Sequence, residues 1–335
     1  MIEKVPGRKA GDFFSLVRRE FYTVIARATR VCWMLFKIMV PVSIGVKVLK
    51  EIGFLTWAAP YFSPVMGIVG LPGELAIVWV STMLTGLYGG ILALAQLGDQ
   101  VSLTTAQATV LTCMMLSAHA MIVELRICRL AGVRIGYLIA LRMGFALGVG
   151  VVMSHLFSAL GWFQSPVNMV WPLHSSVGWR AWAIDESFQY VKIIGVVTGL
   201  IALLRTLEVM GLTDRLNQGL RPFLRPLGIG ESMAPMVVVG LTLGLAYGGG
   251  LIIEEARKGH VQPQDVVMAI SMMCMCHSLI EDTILMLMLG GHPMGVIWIR
   301  IGLALIVTWA LYQWVRRMSS TMLYRFLAVN HLEKG

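Results

Sequence analysis

Charge is what this sequence has least of. Only 13% of its 335 residues are charged, against roughly 25% in soluble globular domains. Acidic residues are the scarcer sign, 18 against 27 basic ones, for a net charge of +9. Familiar catalytic signatures are missing too: no GxxxxGK[ST] phosphate loop, no HExxH zinc helix and no GxSxG nucleophile elbow. ATPase, zinc-protease and serine-hydrolase readings therefore have no support, no cofactor is expected, and the chain is not read as an enzyme. The five cysteines are an odd number, all inside or at the ends of apolar runs. They give no disulfide framework and read as buried thiols. The first thirty residues lack the apolar stretch of a cleavable signal peptide.

What the sequence has in excess is apolar surface: 57% of residues are hydrophobic, and mean hydropathy is +0.76. A compact soluble core cannot hide so much, so lipid is the expected solvent. Collagen, disordered chain, disulfide scaffold and cytosolic enzyme are excluded together. The basic residues flank apolar segments, which fits anionic headgroups and argues against nucleic acid as a partner. In residues 1–30, Phe13, Phe14, Leu16, Val17, Phe21, Val24 and Ile25 fall on one side of a helix, with arginines opposite. That pattern predicts an amphipathic helix on the cytoplasmic membrane face; a solvated basic tail is the plainer alternative.

The chain reads as a duplication. "TGLYGGILAL" at 85–94 recurs as "LGLAYGGGLI" at 243–252, pairing Tyr88 with Tyr247 at an offset of 159. His119 and His277, Glu124 and Asp282, and Arg142 and Arg300 hold an offset of 158. Apolar matches come cheaply in such a composition, whereas several polar residue types keeping one spacing do not. Each copy has four apolar pieces, about 32–55, 74–97, 104–126 and 132–157, then about 188–211, 232–255, 264–289 and 294–315. Most have the roughly 20 residues that a helix needs to cross a bilayer.

Positive charge sets the orientation. The N-terminus, Arg126 to Arg134, Arg205 to Arg225, Arg257 with Lys258, and the tail after Arg316 and Arg317 are assigned inside. The connection 155–187, with Trp162, Trp171, Trp179 and Trp182 beside Asp185 and Glu186, is assigned outside. Copy one then starts inside and ends outside, which four crossings cannot do, so one piece must enter and return. Residues 74–97 are the candidate, with Gly89 and Gly90 after Tyr88 as hinges, and Gly248 and Gly249 after Tyr247 in the second copy. The copies are then inverted, as in secondary transporters. Close helix packing at the small residues is the alternative use of these glycines.

Polar residues at membrane depth carry the functional expectation. His277, Glu281 and Asp282 sit within "MMCMCHSLIEDTILMLMLGG", where each ionisable group costs a few kcal/mol and faces a cavity or a partner. His277 and Glu281 are four apart and share a face on a continuous helix, whereas Asp282 turns away unless the helix unwinds. Copy one keeps His119 and Glu124 but has Val123 in the place of Glu281. Arg142 and Arg300 could neutralise these acids, meet an anionic substrate or snorkel. The run Met272 to Cys276 suggests a soft metal, but consecutive helical residues point all around the axis and cannot meet one ion. Cys274 with His277 and Asp282 is the set retained for a metal.

The doubled Tyr-Gly-Gly segment followed by intramembrane "HSLIEDT" resembles the nucleoside-recognition, or Gate, domain family of bacterial membrane proteins, over most of 40–315. That family is related to concentrative nucleoside transporters and the membrane part of FeoB-type iron transporters, and it includes spore maturation proteins. The resemblance implies inverted repeats with re-entrant hairpins and places function on Tyr88 to Gly90, His119, Glu124, Tyr247 to Gly249, His277, Glu281 and Asp282. No G-protein domain and no Asn-Glu-Phe signature accompany it.

The expected fold is all-α and polytopic, with two inverted repeats of about three spanning helices and a re-entrant hairpin each. Its parts are a cytoplasmic segment 1–30, a first repeat 31–160, an external connection 161–187, a second repeat 188–316 and a cytoplasmic tail 317–335. The expected activity is secondary transport of a small polar or anionic solute across the bacterial inner membrane, coupled to protons or sodium. The alternatives are a divalent-metal permease and a non-transporting scaffold or subunit. The bilayer, a small solute or ion and a possible homo-oligomeric copy are the expected partners.

Overall fold

Residues 10–98, 101–167, 178–211, 219, 222–257 and 261–329 are described by a computed structural model. The side chains before Tyr22, on which the amphipathic N-terminal reading mostly rests, lie outside the described residues, as do Trp171, Arg215, Arg221 and Lys258. Among the described residues there is no strand, only two isolated bridges, and the chain is all-α as its composition implies.

The first helix, α1 (Ala10–Glu51), runs without a break through residue 30 and carries the first apolar piece. Next comes α2 (Phe54–Ile68), a helix that the apolar runs did not announce. Phe54, Trp57, Tyr61 and Phe62 stand exposed along it, as suits an interfacial helix. Its last turns meet the following segment at 92°.

From there the elements occur twice in the same order. The first set is α3 (Ala76–Thr85), α4 (Leu87–Leu97), α5 (Thr105–Ser117), α6 (Met121–Leu130) and α7 (Ile135–Leu160). After α8 (Trp179–Val209) come α9 (Ala234–Leu243), α10 (Leu245–Arg257), α11 (Pro263–Met275) and α12 (Glu281–Met288). A π-helical turn (Met294–Ile299) then leads into α13 (Arg300–Val315), and α14 (Ser320–Phe326) ends the described chain. The spacing between counterparts is that between His119 and His277, 158 positions.

Each set opens with a helical hairpin folded at a single glycine, Gly86 at φ 97° and Gly244 at φ 105°, in the left-handed region open to glycine. The arms α3 and α4 have 10 and 11 residues. At about 1.5 Å per residue each reaches about 15 Å, half the hydrocarbon thickness of a bilayer. The fold therefore moves the hinge away from Gly89, Gly90, Gly248 and Gly249. Those glycines are helical and serve the close approach of neighbours instead. A Cβ on Gly90 would lie 1.8 Å from Thr82 Oγ1, and one on Gly248 would lie 2.5 Å from Gly240 Cα.

Each hairpin is followed by a broken helix. Helix α5 starts on a capping box formed by Thr104 and Gln107, a pairing that satisfies two otherwise orphaned N–H groups. It stops at Ser117, and α6 resumes after Ala120 at φ 46°; in the second set Ser278 at φ 50° occupies the matching position. A non-glycine residue in this conformation costs about 1–2 kcal/mol, and strain of this kind concentrates at functional sites.

Among the described residues, four helical stretches are long and apolar enough to cross a membrane: Thr105–Leu130, Ile135–Leu160, Trp179–Leu207 and Met294–Val315, with the bent pair Pro60–Ile68 and Gly73–Thr85 as a fifth. The apolar window of Thr105–Leu130 is 78% buried in protein, while those of the other three are 24–33% buried. The broken helix is central and the unbroken ones are peripheral. Packing also interlocks the copies. One buried cluster joins α3, α4 and α5 to Leu285 and Met286 of α12 and to Val296. The other joins α9, α10 and α11 to Leu125 and Cys128 of α6. Each broken helix thus leaves one core and enters the other, and the breaks lie between them.

Candidate functional site

At the first break, the interruption that frees the backbone also supplies its partner. Arg142 on α7 is fully buried. Its Nε donates to Ser117 O at 3.1 Å and its Nη2 to His119 O at 2.9 Å. These are carbonyls that a continuous helix would have bonded internally. The third arm of the guanidinium, Nη1, pairs with the Glu124 carboxylate. The hairpin tip closes the same break: Ala120 N donates to Thr82 O at 3.0 Å. In the second copy Ser278 N and Leu279 N donate to Gly240 O and Leu241 O at 3.4 and 2.7 Å.

The two breaks meet each other. Nε2 of His119 and Nε2 of His277 lie 3.0 Å apart, so the counterpart residues of the two copies touch. The acids are exchanged between copies. Glu124 Oε1 is 3.1 Å from His277 Nε2, and Asp282 Oδ2 is 3.5 Å from His119 Nε2. Glu124 Oε1 also stands 3.3 Å from His119 Nε2. Each ring is held from behind, His119 Nδ1 by Leu116 O at 3.0 Å and His277 Nδ1 by Met273 O at 2.8 Å. Both histidines and Glu124 are buried.

The unwinding corrects the expected pairing of His277 with Glu281. That pairing needed a continuous helix, but α11 ends at Met275 and α12 begins at Glu281. His277 turns to the other copy, and the same unwinding brings Asp282 inward. Glu281 is only partly buried, within electrostatic reach of Asp282 and Arg27.

Arg300 does not repeat the role of Arg142. Buried at 1% exposure, it makes a long contact from Nη2 to Thr283 Oγ1 at 3.4 Å and another with the Cys276 side chain, and its Nε has no hydrogen-bond partner among the described residues. Its copy's acid, Asp282, serves His119 instead. Tyr88 and Tyr247 also part company. Gly86 and Gly244 fix the structural register, which places Tyr88 opposite Ala246 and rotates the second tyrosine by one residue, about 100° on a helix. The Tyr88 hydroxyl is buried without a hydrogen-bond partner among the described residues and lies within electrostatic reach of Glu281 and Asp282. Tyr247 is 52% exposed and accepts a hydrogen bond from Arg27 Nη2 at 2.8 Å. Cys274 does not join the histidines; its Sγ lies 3.7 Å from Cys128 Sγ.

A second polar cluster escaped the sequence reading. Ser43 Oγ donates to Glu186 Oε1 in the contact between α1 and α8, and Gln96 Nε2 donates to Ser43 Oγ at 2.8 Å. Lys47, Glu186, Gln96 and Gln189 line a cavity of about 20 Å³ there. The available signal was polar residues inside apolar runs, Ser43 and Lys47 in "VPVSIGVKVL" and Gln96 in "ILALAQLG", the criterion that singled out His277; Glu186, beside Asp185 and Ser187 in the connection assigned outside, carried none.

Residues 32–134 match the family model described as Gate, nucleoside recognition, from α1 through the first hairpin and the first broken helix. The chain is 27% identical over 300 residues to an uncharacterized membrane protein, YvoD, of Bacillus subtilis (strain 168), an alignment covering 88% of this chain and 95% of that relative. No solved structure matches. The chain is a membrane protein with several apolar helices, and its residues 32–134 are similar to the Gate family.

Proposed function

We propose that the protein is a secondary transporter of the bacterial cytoplasmic membrane, built from two inverted repeats, and that the His119–His277 cluster binds a cation in its cycle. One observation carries this reading: the interruptions of two central helices, one from each copy, meet at a buried group of imidazoles and carboxylates. Charge inside a bilayer is expensive and is retained where it does work. Irregular backbone at membrane depth is tolerated where protein buries it or a wet cavity adjoins it.

The groups that converge offer electron pairs, so the cluster suits a cation better than the anionic solute also expected from the sequence. The asymmetry of the arginines supports a cycle. Glu124 is committed to Arg142, while Asp282 faces His119 and Arg300 has no carboxylate partner among the described residues. A state in which Asp282 pairs with Arg300, as Glu124 does with Arg142, is the exchanged form of the same arrangement. Moving Asp282 would open the histidine pair on one side. Gly86 and Gly244 would let the hairpin tips follow.

The test is cation flux into proteoliposomes loaded with reporter dyes, for protons, sodium and divalent cations in turn. Wild-type protein is expected to carry at least one of them, and the His277→Ala, Asp282→Asn double variant to carry it no faster than protein-free liposomes. Equal flux in the double variant, or no wild-type flux of any of these cations, would overturn the proposal.

A further inference from the structure

The proton positions at the cluster follow from its backbone contacts. A carbonyl oxygen only accepts, so Nδ1 of His119, facing Leu116 O, and Nδ1 of His277, facing Met273 O, both carry hydrogen. In the neutral rings both Nε2 atoms are then bare. These two nitrogens face each other at 3.0 Å, with Glu124 Oε1 at 3.1 and 3.3 Å and Asp282 Oδ2 at 3.5 Å from one or the other. Four electron-pair donors converge and none brings a hydrogen. A single shared proton satisfies one edge of this set and leaves the edge from His119 to Asp282 as lone pair against lone pair. One central cation meets the lone pairs of His119, His277 and Asp282 together, with Glu124 Oε1 beside both imidazoles.

We infer that His119, His277, Asp282 and Glu124 form a binding site for one divalent transition-metal ion of the Zn²⁺, Fe²⁺ or Mn²⁺ class. This rests on the cluster being the cation site of the proposed cycle and names the class of that cation.

The separations fit. Metal–ligand bonds of about 2.0–2.1 Å in a tetrahedron put ligand atoms about 3.3 Å apart, and the four separations that involve the two imidazoles and the nearer carboxylate oxygens, His119–His277, His277–Glu124, His119–Glu124 and His119–Asp282, run from 3.0 to 3.5 Å. The ligand atoms of His119, His277 and Asp282 all lie within 4.8 Å of one another. The carbonyls behind the rings are the outer contacts that orient metal-binding histidines and fix their tautomer, and Arg142 does the same for the Glu124 carboxylate.

Ligand chemistry narrows the ion. Two imidazoles disfavour Mg²⁺, Ca²⁺ and Na⁺, which take oxygen ligands. Cu⁺ would want sulfur, and Cys274 faces Cys128 while Cys276 sits against Arg300. Glu124 and Asp282 supply two negative charges, of which Arg142 offsets one, so the group keeps one net negative charge that draws a cation. Arg142 holds the Glu124 carboxylate and not that of Asp282, so binding and release turn on one carboxylate.

Co²⁺ added to the purified, tag-free full-length chain in detergent, after chelator treatment, tests the inference through its visible absorption. One equivalent is expected to bind with the intensified bands of a four- or five-coordinate site, to be displaced by Zn²⁺ and to ignore excess Mg²⁺. His119→Ala and His277→Ala should abolish the bands. Asp282→Asn, near-isosteric and placed where the fold makes fewest demands, should lower affinity by more than the roughly 10–100-fold typical of outer contacts, with its thermal melt retained. Absent bands in the wild type, or bands that survive both histidine substitutions, would overturn the metal site. The failures stay separable. Proton flux without Co²⁺ binding removes the metal and keeps the transporter, and Co²⁺ binding without flux of any cation does the reverse.

Discussion

Two arginines at matching positions show what single residues contribute. Arg142 donates to two carbonyls and pairs with Glu124, all in the interior. Removing one partner of a buried ion pair leaves the other uncompensated, at a cost of about 3–5 kcal/mol. Arg300 gives up less, a contact of 3.4 Å with Thr283 and one with the Cys276 thiol, neither of them a carboxylate. Arg142→Met is therefore expected to lower the thermal midpoint in detergent markedly and Arg300→Met only slightly, if at all. Equal losses would mean that Arg142 does not organise the break. The sequence made these residues conspicuous because a charge inside an apolar run has few uses. It did not disclose the partners. Spacing along a helix pairs His277 with Glu281, and only an interrupted helix lets His277 reach Glu124 and Asp282 reach His119.

Among the elements, the hairpins were legible in kind and misplaced in detail. Tyr-Gly-Gly drew attention as a run, yet the bends fall at the single glycines before it, Gly86 and Gly244. A positive φ requires one glycine and leaves no trace in hydropathy, whereas a glycine run reflects close packing. The two uses separate by substitution. A Cβ on Gly248 would lie 2.5 Å from Gly240 Cα and 2.8 Å from Met236 O, backbone that cannot yield, while a Cβ on Gly250 meets nothing within 4 Å. Gly248→Ala is expected to reduce folded yield and melting temperature sharply. Gly250→Ala should be neutral or gain up to about 1 kcal/mol from helix propensity. The reverse order, in melts of the purified variants, would refute the packing of α9 on α10. Helix α2 was missed for a different reason. Pro60 and Pro64 punctuate it, and its last turns reach crossing length only together with the sharply bent segment Gly73–Thr85, a bend that hydropathy does not show.

At the scale of the whole molecule, composition was enough to set lipid as the solvent, and polar spacing enough to suggest a duplication. Helices, breaks and left-handed residues recur along the chain at the same interval. The interlocking of the cores was not legible. Hydropathy marks which faces are buried but not against what, and here α6 and α12 each complete the other copy's core. That exchange explains why the site has no home in either copy. Histidines separated by 158 positions become neighbours only once both cores are assembled.

The central claim is that the copies face opposite ways across the bilayer around this site. Gly136 at the start of α7 and Met294 at the start of the last long stretch hold matching positions and are both exposed, Met294 at 39%, with open space where a Gly136 Cβ would go. The decisive measurement is labelling of Gly136→Cys and Met294→Cys, each in a background without the five native cysteines, by a membrane-impermeant thiol reagent in right-side-out and inverted vesicles. Inverted copies put the cysteine at 136 on the cytoplasmic face and that at 294 on the outer face; labelling of both from one face would contradict the account.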